Sequence, residues 1–239
     1  MSAALEVSGL QLGYGDLTAV WDASFEVREG SICALVGRNG AGKTTLLSGI
    51  AGLLPAKAGT VRLLGQDVGR QSTQKRVRNG LTLVQEGRRI FRSLTVQENL
   101  ELGAFAQRGG ERKALFDEMY ERFPALAQRP GAKAGALSGG QQQMLAIAQA
   151  LVSRPKVLLI DEPSAGLAPV IVDEVHAAIR QLKADGLTIV LVEQLIEDVL
   201  GNIADDVVML EGGRVVLSAP ASSLTVEDLS SRMELTASP

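Results

Sequence analysis

A glycine-rich segment near the start of the chain carries the residue types that bind phosphate groups. It runs Gly37-Arg38-Asn39-Gly40-Ala41-Gly42-Lys43-Thr44, with Thr45 directly after it. The glycines let backbone N–H groups converge on a triphosphate, Lys43 can reach the β- and γ-phosphates, and Thr44 can bind Mg²⁺. A strand pattern precedes the segment and a helix pattern follows it, and the positive end of that helix favours anions. Residues 37–45 therefore predict a site for ATP and Mg²⁺.

An acidic pair follows a second apolar run. Residues 157–160, Val-Leu-Leu-Ile, have the continuous apolar character of a buried strand, and Asp161 and Glu162 come directly after them. Acidic residues are common at strand ends, so the pair gains its meaning from the phosphate-binding loop upstream. Asp161 is then placed to hold Mg²⁺ or its water shell. Glu162 is the candidate that polarises the attacking water, so we expect Glu162 and Lys43 to be catalytic.

A third motif, Leu137-Ser138-Gly139-Gly140-Gln141, stands between the other two. By itself it indicates a helix start with Ser138 as the N-terminal cap. With a phosphate-binding loop before it and an acidic strand after it, the chain resembles the ATPase subunits of ABC transporters. The resemblance covers nearly the whole chain and rests on three motifs in a fixed order.

This resemblance implies a catalytic site shared between two subunits. Two such ATPases, identical or different, are expected to meet head to tail. ATP would lie between the loop of one subunit and Ser138, Gly139 and Gly140 of the other, whose helix dipole faces the γ-phosphate. Tyr14 stands where the family places an aromatic that stacks on adenine, although Gly13-Tyr14-Gly15 could also be a simple turn.

The chain departs from the usual family pattern at three places. Gln85 and Glu86 stand around the position of a family glutamine, and either could reach the metal or water. Gln194 replaces a histidine and can still donate its amide to a γ-phosphate oxygen, which makes it a third catalytic candidate. Ala168 replaces an aspartate near the dimer contact. These departures are similar to those of the second ATPase of branched-chain amino-acid importers, whose relatives serve urea and short amides.

Strand patterns alternate with helix patterns along most of the chain, which favours an α/β fold with a parallel sheet. The strand patterns cover 5–12, 23–28, 32–36, 59–64, 81–84, 157–160 and 188–192, and a hairpin covers 207–217. Helix patterns cover 44–51, 141–152 and 170–183. The resemblance implies a RecA-like P-loop NTPase core, an N-terminal antiparallel β subdomain and a helical lobe that carries the signature.

We expect a single domain over residues 1–239, with core lobes at about 1–86 and 155–239 and a helical lobe at 87–154. The only histidine, His176, falls in the middle of a helix pattern, where we expect a surface or packing residue. Trp21 is also expected to pack. The polar stretch from about Ser230 predicts a loosely ordered end.

Composition excludes several classes of protein. The 239 residues are 46% hydrophobic with a formal net charge of −3, which argues against a broad nucleic-acid-binding surface. The single cysteine, Cys33, forms no internal disulfide, so we expect a reducing compartment. No segment reaches the ~20 apolar residues of a membrane span, and residues 1–6 lack a leader pattern.

The sequence therefore predicts an importer ATPase at the cytoplasmic face of the cell membrane. Its partners would be a second ABC ATPase, transmembrane permeases that contact residues 86–95, and indirectly a solute-binding protein. An exporter or lipid-transport ATPase is the alternative function. The coiled coils, zinc cysteines and tandem domains typical of ABC ATPases that act on DNA or ribosomes are not found, and Lys43 and Glu162 argue against a non-catalytic sensor.

Overall fold

The computed structural model describes residues 2–107 and 112–235. The strands are β1 Ala3–Tyr14, β2 Leu17–Arg28, β3 Ile32–Val36, β4 Ala58–Leu63, β5 Gln66–Asp67, β6 Leu81–Val84, β7 Val157–Asp161, β8 Thr188–Val192, β9 Asp206–Glu211 and β10 Arg214–Pro220. The helices are α1 Lys43–Ala51, α2 Thr73–Arg78, α3 Val96–Gly103, α4 Arg112–Arg122, α5 Pro124–Ala127, α6 Gly139–Leu151, α7 Pro169–Ala184, α8 Ile196–Asn202 and α9 Val226–Leu235.

A six-stranded sheet with the order β10-β9-β3-β8-β7-β6 forms the centre of the fold. The strands from β9 to β6 run parallel, and only β10 is antiparallel to its neighbour. Every residue of β3, β7 and β8 is buried, as their continuous apolar sequences predict for parallel strands covered on both faces. Because parallel strands end at the same edge, the segments that follow β3, β7 and β8 meet there.

A four-stranded antiparallel sheet with the order β2-β1-β4-β5 packs near the central sheet. The alternating burial of β2 follows from its alternating apolar and polar residues. One hydrophobic cluster joins Leu10 of β1, Val27 of β2, Leu46 of α1 and Leu35 of β3. This cluster fixes the first turn of α1 between the two sheets, and with it the loop that precedes the helix.

The helices α3, α4, α5 and α6 share a second cluster with the central sheet. Leu115, Met119 and Phe123 recur every four residues, close to one helical turn, and all three are buried in it. The helix α6 begins two residues earlier than the sequence pattern indicates, because Ser138 caps it directly before Gly139. Residues 108–111 of the predicted helical lobe lie outside the described residues.

The end of the chain differs from its sequence-based expectation. The predicted hairpin is confirmed as β9 and β10. The stretch from Ser230 to Leu235, expected from its polar sequence to be loosely ordered, is instead part of α9. The buried Leu229 anchors this helix in a third cluster with β9 and α8, which outweighs its polar composition. Residues 236–239 of that stretch lie outside the described part. No helix in the described ranges has the length and apolar character needed to cross a membrane.

Candidate nucleotide site

The glycine-rich loop joins the end of β3 to the start of α1, as the sequence predicts. Gly37 has a φ of +150°, and a Cβ there would lie 2.2 Å from the carbonyl oxygen of Leu210. Gly42, with a φ of +103°, directly precedes α1, and a Cβ on it would lie 2.9 Å from the carbonyl oxygen of Ala19. One side of the loop is therefore packed against backbone so closely that only glycine fits.

The lysine of the loop is buried within it. The Nζ of Lys43 donates to the carbonyl oxygens of Gly37 at 2.8 Å and Arg38 at 3.1 Å. Burial lowers the pKa of Lys43, while the nearby Glu162 and Asp161 act to raise it. The ammonium group therefore lies under the loop at the N-terminal end of α1, where a phosphate would meet both the cation and the helix dipole.

The side chain of Asp161, at the end of β7, is only 3% exposed. Burial raises the pKa of this carboxyl to about 6, opposed by a hydrogen bond from Thr44 and reinforced by the charges of Glu162 and Glu86. Its Oδ1 atom has no hydrogen-bond partner. A buried carboxylate oxygen without a partner, beside a threonine hydroxyl, suits a hard cation such as Mg²⁺.

The neighbouring residue Glu162 has an unusual backbone conformation with a φ of +46°. Its N–H donates to the carbonyl oxygen of Val192 at 3.0 Å. Its Oε2 atom accepts a hydrogen bond of 2.6 Å from Nε2 of Gln194. Strained backbone of this kind persists only where surrounding contacts hold it, and it concentrates at functional sites. With this conformation, Glu162 leaves the buried course of β7 and its side chain meets Gln194.

A cavity of about 340 Å³ lies beside the phosphate-binding loop and Glu162. It is lined by Ala19, Asn39, Gly40, Gly42, Lys43, Thr44, Thr45, Glu86, Glu162 and Gln194. A second cavity on the other side of the loop is lined by Arg38, Asn39, Gly40 and Ala41 together with residues 209–212. Ala19 and residues 209–212 carry no recognisable motif, and only the fold reveals them. A larger cavity of about 460 Å³, which includes Arg122 and Lys156, has none of this chemistry.

The structure separates the two alternatives that follow β6. Glu86 lines the cavity beside the phosphate-binding loop, and its charge acts on Asp161. Gln85 instead lines a different cavity together with Phe105 and Gln149. The chain turns directly after β6, at Glu86, which separates the two side chains. Glu86, and not Gln85, therefore lines the cavity at the phosphate-binding loop.

The two aromatic residues near the loop lie at the surface. Tyr14, at the end of β1, is 58% exposed and is not among the described residues that line either cavity at the loop. The expected packing of Trp21 is only partial, since the residue is 40% exposed. The guanidinium group of Arg214 lies 5.8 Å from the centre of its ring, a cation–π distance.

The signature residues begin α6 and lie apart from the loop. Ser138 and Gln141 form a capping box, in which the backbone N–H of each donates to the side chain of the other. Gly140 is buried, and a Cβ on it would lie 2.4 Å from a methyl carbon of Ile171 in α7. Ser138, Gly139 and Gly140 do not line the cavity at the loop of their own chain.

Arg88 is a connecting residue that the sequence did not single out. Its Nη2 donates to the carbonyl oxygens of Ala165 at 3.2 Å and Gly166 at 3.3 Å. A Cβ on Gly139 would lie 3.0 Å from its Nη1 atom. The side chain thus bridges the segment after β6, the loop after Glu162 and the signature. Arg88 and Arg89 are adjacent in the sequence, and the sequence pattern does not indicate which of them makes these contacts.

A phosphate-binding loop after one parallel strand, with an acidic pair at the end of another strand of the same sheet, defines a P-loop ATPase. Residues 20–165 match the ABC transporter family, and the chain belongs to that family. The fold class expected from sequence is therefore confirmed, and the chain is an ABC-type ATPase that binds adenine nucleotide.

Two curated relatives and one solved structure illustrate the relationship. The chain is 43% identical to the high-affinity branched-chain amino acid transport ATP-binding protein BraG of Pseudomonas aeruginosa, over 88% of this chain and 90% of BraG. It is 38% identical to the probable branched-chain amino acid transport ATP-binding protein LivF of Archaeoglobus fulgidus, over 90% and 91% of the two chains. A dimeric post-hydrolysis structure of the ATP-binding cassette MJ0796, bound to ADP and Pi, has a TM-score of 0.80 and 25% identity, covering 91% and 98%.

Proposed function

We propose that this chain is the ATP-hydrolysing subunit of an importer for branched-chain amino acids or related small polar solutes. The similarity to BraG and LivF over about nine-tenths of the chain supports the substrate class and favours an importer over an exporter. The observation that carries the hydrolytic role is the arrangement of Lys43, Glu162 and Gln194 around one cavity at the end of the sheet.

The residues predicted from the sequence have proposed roles in binding and hydrolysis. The loop and Lys43 bind the phosphates of ATP, and Tyr14 stacks on the adenine from the exposed end of β1. Glu162 accepts a proton from the attacking water, and Gln194 donates its amide to the γ-phosphate. The hydrogen bond between Gln194 and Glu162 holds the two side chains together, next to the position proposed for that water.

Mg²⁺ is the metal that the site is proposed to take with ATP. No group of three or more His, Cys, Asp or Glu side chains in residues 2–107 and 112–235 could hold an ion by itself. Asp161 and Thr44 would therefore share the ion with phosphate oxygens, and Glu86 would hold part of its water shell. Mg²⁺ supplies neutralisation of phosphate charge when it is bound.

A second ABC ATPase, identical or different, is proposed to complete the site. Ser138 is exposed at the start of α6 and does not line the cavity of its own chain, so it is available to a nucleotide held by another subunit. The dimeric assembly of MJ0796 supports this arrangement. The helical lobe at residues 87–154 and the core lobes at about 1–86 and 155–239 would together form one domain.

The permeases are proposed to dock beside the segment that follows β6. Phe91, Leu102 and Phe105 are large apolar residues with 53%, 44% and 49% of their surfaces exposed. Leu102 and Phe105 line a cavity of about 270 Å³ together with Gln85 and Arg89. Such an apolar patch suits a helix of a membrane partner, which would hold this chain at the cytoplasmic face of the membrane and receive solute from a binding protein.

The test uses the transporter assembled with the permeases that co-purify with this chain, in vesicles supplied with a binding protein. We expect ATP-dependent uptake of leucine, and Glu162→Gln should lower ATP turnover by ~10²-fold or more, since it removes the general base. Glu174→Gln is the control, because Glu174 is an exposed carboxylate on α7. Unchanged turnover in Glu162→Gln would disprove the general-base role. Transport of solute away from the compartment that contains the ATPase would support an exporter.

A further inference from the structure

A buried polar cluster lies directly beneath the pair formed by Glu162 and Gln194. Glu193, the first residue after β8, is 2% exposed, and His176 of α7 is 4% exposed. The Oε2 atom of Glu193 accepts a hydrogen bond of 2.6 Å from the hydroxyl of Ser164, and its Oε1 lies 3.2 Å from Nε2 of His176. The Ser164 hydroxyl is the donor to Oε2, and His176 is the donor to Oε1 in the tautomer that carries its proton on Nε2.

The cluster corrects the expectation that His176 is a surface or packing residue. Its ring is buried and bound to a buried carboxylate, in a helix whose outer face is polar. A buried acid is costly unless its oxygens are satisfied, and an apolar residue would fill the same space at lower free energy. Both Glu193 oxygens have a partner here, which indicates that the group has a purpose other than packing.

Two hydrogen bonds of equal length connect the same pair of segments. Gln194 donates to Glu162 at 2.6 Å, and Ser164 donates to Glu193 at 2.6 Å. Glu193 and Gln194 are neighbours, and Glu162 and Ser164 are two residues apart, so the bonds form adjacent links between the end of β8 and the loop after β7. The bond between Gln194 and Glu162 is exposed at the cavity, and the bond between Ser164 and Glu193 is partly buried.

We propose that Glu193 is a positioning residue that fixes the distance between Gln194 and Glu162, with Ser164 and His176 holding its carboxylate. The proposal rests on the proposed catalytic roles of Glu162 and Gln194. Through Glu193, the helix α7 becomes part of the support of the site. None of Ser164, His176 and Glu193 lines the cavity, so loss of the support changes the reaction step more than the binding of ATP.

The kinetic test compares variants that keep or remove each donor. In the assembled transporter, His176→Leu and Ser164→Ala should each lower kcat by about tenfold, because small displacements of catalytic groups are costly. The KM for ATP should stay within about twofold of the wild type, as expected when ground-state binding is retained. His176→Gln keeps an N–H donor to Glu193 and should retain most of kcat.

Ser31→Ala is the matched control. The buried hydroxyl of Ser31 donates to the carbonyl oxygen of Arg28 at 2.8 Å, and Ser31 precedes β3, at the other end of that strand from the phosphate-binding loop, so its loss affects stability without affecting kcat. Equal loss of kcat in His176→Gln and His176→Leu, or in Ser31→Ala, would show a purely structural role and overturn the proposal. If Glu162→Gln keeps wild-type kcat, the proposed catalytic role of Glu162 is wrong. This outcome is distinct from failure of the positioning role of Glu193, which the His176 and Ser164 variants test.

A spectroscopic test does not depend on turnover. His176 is the only histidine in the chain, so its imidazole signals in an untagged sample can be assigned without ambiguity. In full-length Glu162→Gln, these signals should differ between the ATP-bound and ADP-bound forms. The proposed contact of Gln194 is with the γ-phosphate, which ADP lacks, and Gln194 is the neighbour of Glu193 in the chain. Identical signals in the two forms would overturn the proposal.

Discussion

Replacing Asp161 with asparagine is expected to stabilise the nucleotide-free protein while destroying its function. Burial raises the pKa of Asp161 from 3.8 to about 6, so at neutral pH the folded protein carries a carboxylate whose ionisation costs more free energy than it does in the unfolded chain. Each pKa unit corresponds to ~1.4 kcal/mol, which makes the charge cost about 3 kcal/mol of folding free energy. Asp161→Asn removes that charge at almost constant volume.

The pH dependence gives the sign of the effect. Below pH 3.8 the group is protonated in both the folded and the unfolded chain, so the cost is absent. The cost grows as the pH rises from 3.8 to about 6 and is complete above that value, since only the folded state resists ionisation. The stability advantage of Asp161→Asn should therefore be largest at pH 7.5 and should shrink toward pH 4.

Urea denaturation of the full chain, with EDTA and without nucleotide, measures this difference directly. Asp173→Asn on the exposed side of α7 is the control and should change the free energy of unfolding by less than about 0.5 kcal/mol. Adding ATP and Mg²⁺ should reverse the order, because only the wild type binds them tightly. A destabilised Asp161→Asn variant at pH 7.5 without nucleotide would refute the reasoning.

Two further predictions follow from the packing around the loop. Burial raises the pKa of the Cys33 thiol to about 12. Iodoacetamide at pH 8 should therefore leave the folded chain unlabelled and should rapidly label the chain unfolded in urea, as measured by intact mass. Rapid labelling of the folded chain would contradict this burial. Gly37→Ala should lose about 2 kcal/mol or more of stability, because its Cβ would collide with the Leu210 carbonyl oxygen. Gly131→Ala has open space around it and serves as the control in the same thermal melts, so equal melting temperatures for the two variants would contradict the collision.

The sequence was most informative where one local pattern has one structural outcome. The apolar runs of β3, β7 and β8 predicted buried parallel strands, and all their residues are buried. Parallel strands end at one edge, so the loop after β3 and the acids after β7 had to come together. The capping role of Ser138 was equally visible, since a serine followed three residues later by glutamine is a helix-start pattern.

The sequence was least informative where the outcome depends on which side of an element is covered. Gln85 and Glu86 have similar length, and only the orientation of the segment after β6 decides which one faces the loop. His176 stands in a helix whose neighbours are acidic, so burial against Glu193 could not be foreseen. The helix α9 looked polar, and its single anchor Leu229 became recognisable only from the cluster that receives it.

The capping box at Ser138 has a consequence for how substitutions at this position should be interpreted. Its oxygen accepts from the N–H of Gln141, which leaves the hydroxyl proton free to be given to another acceptor. Aspartate and asparagine would cap α6 about as well, yet an ionised aspartate has no proton to offer and would repel phosphate. A well-folded variant at position 138 can therefore still be inactive, because the helix needs only an acceptor there, whereas the proposed contact with the nucleotide of a second subunit needs a donor.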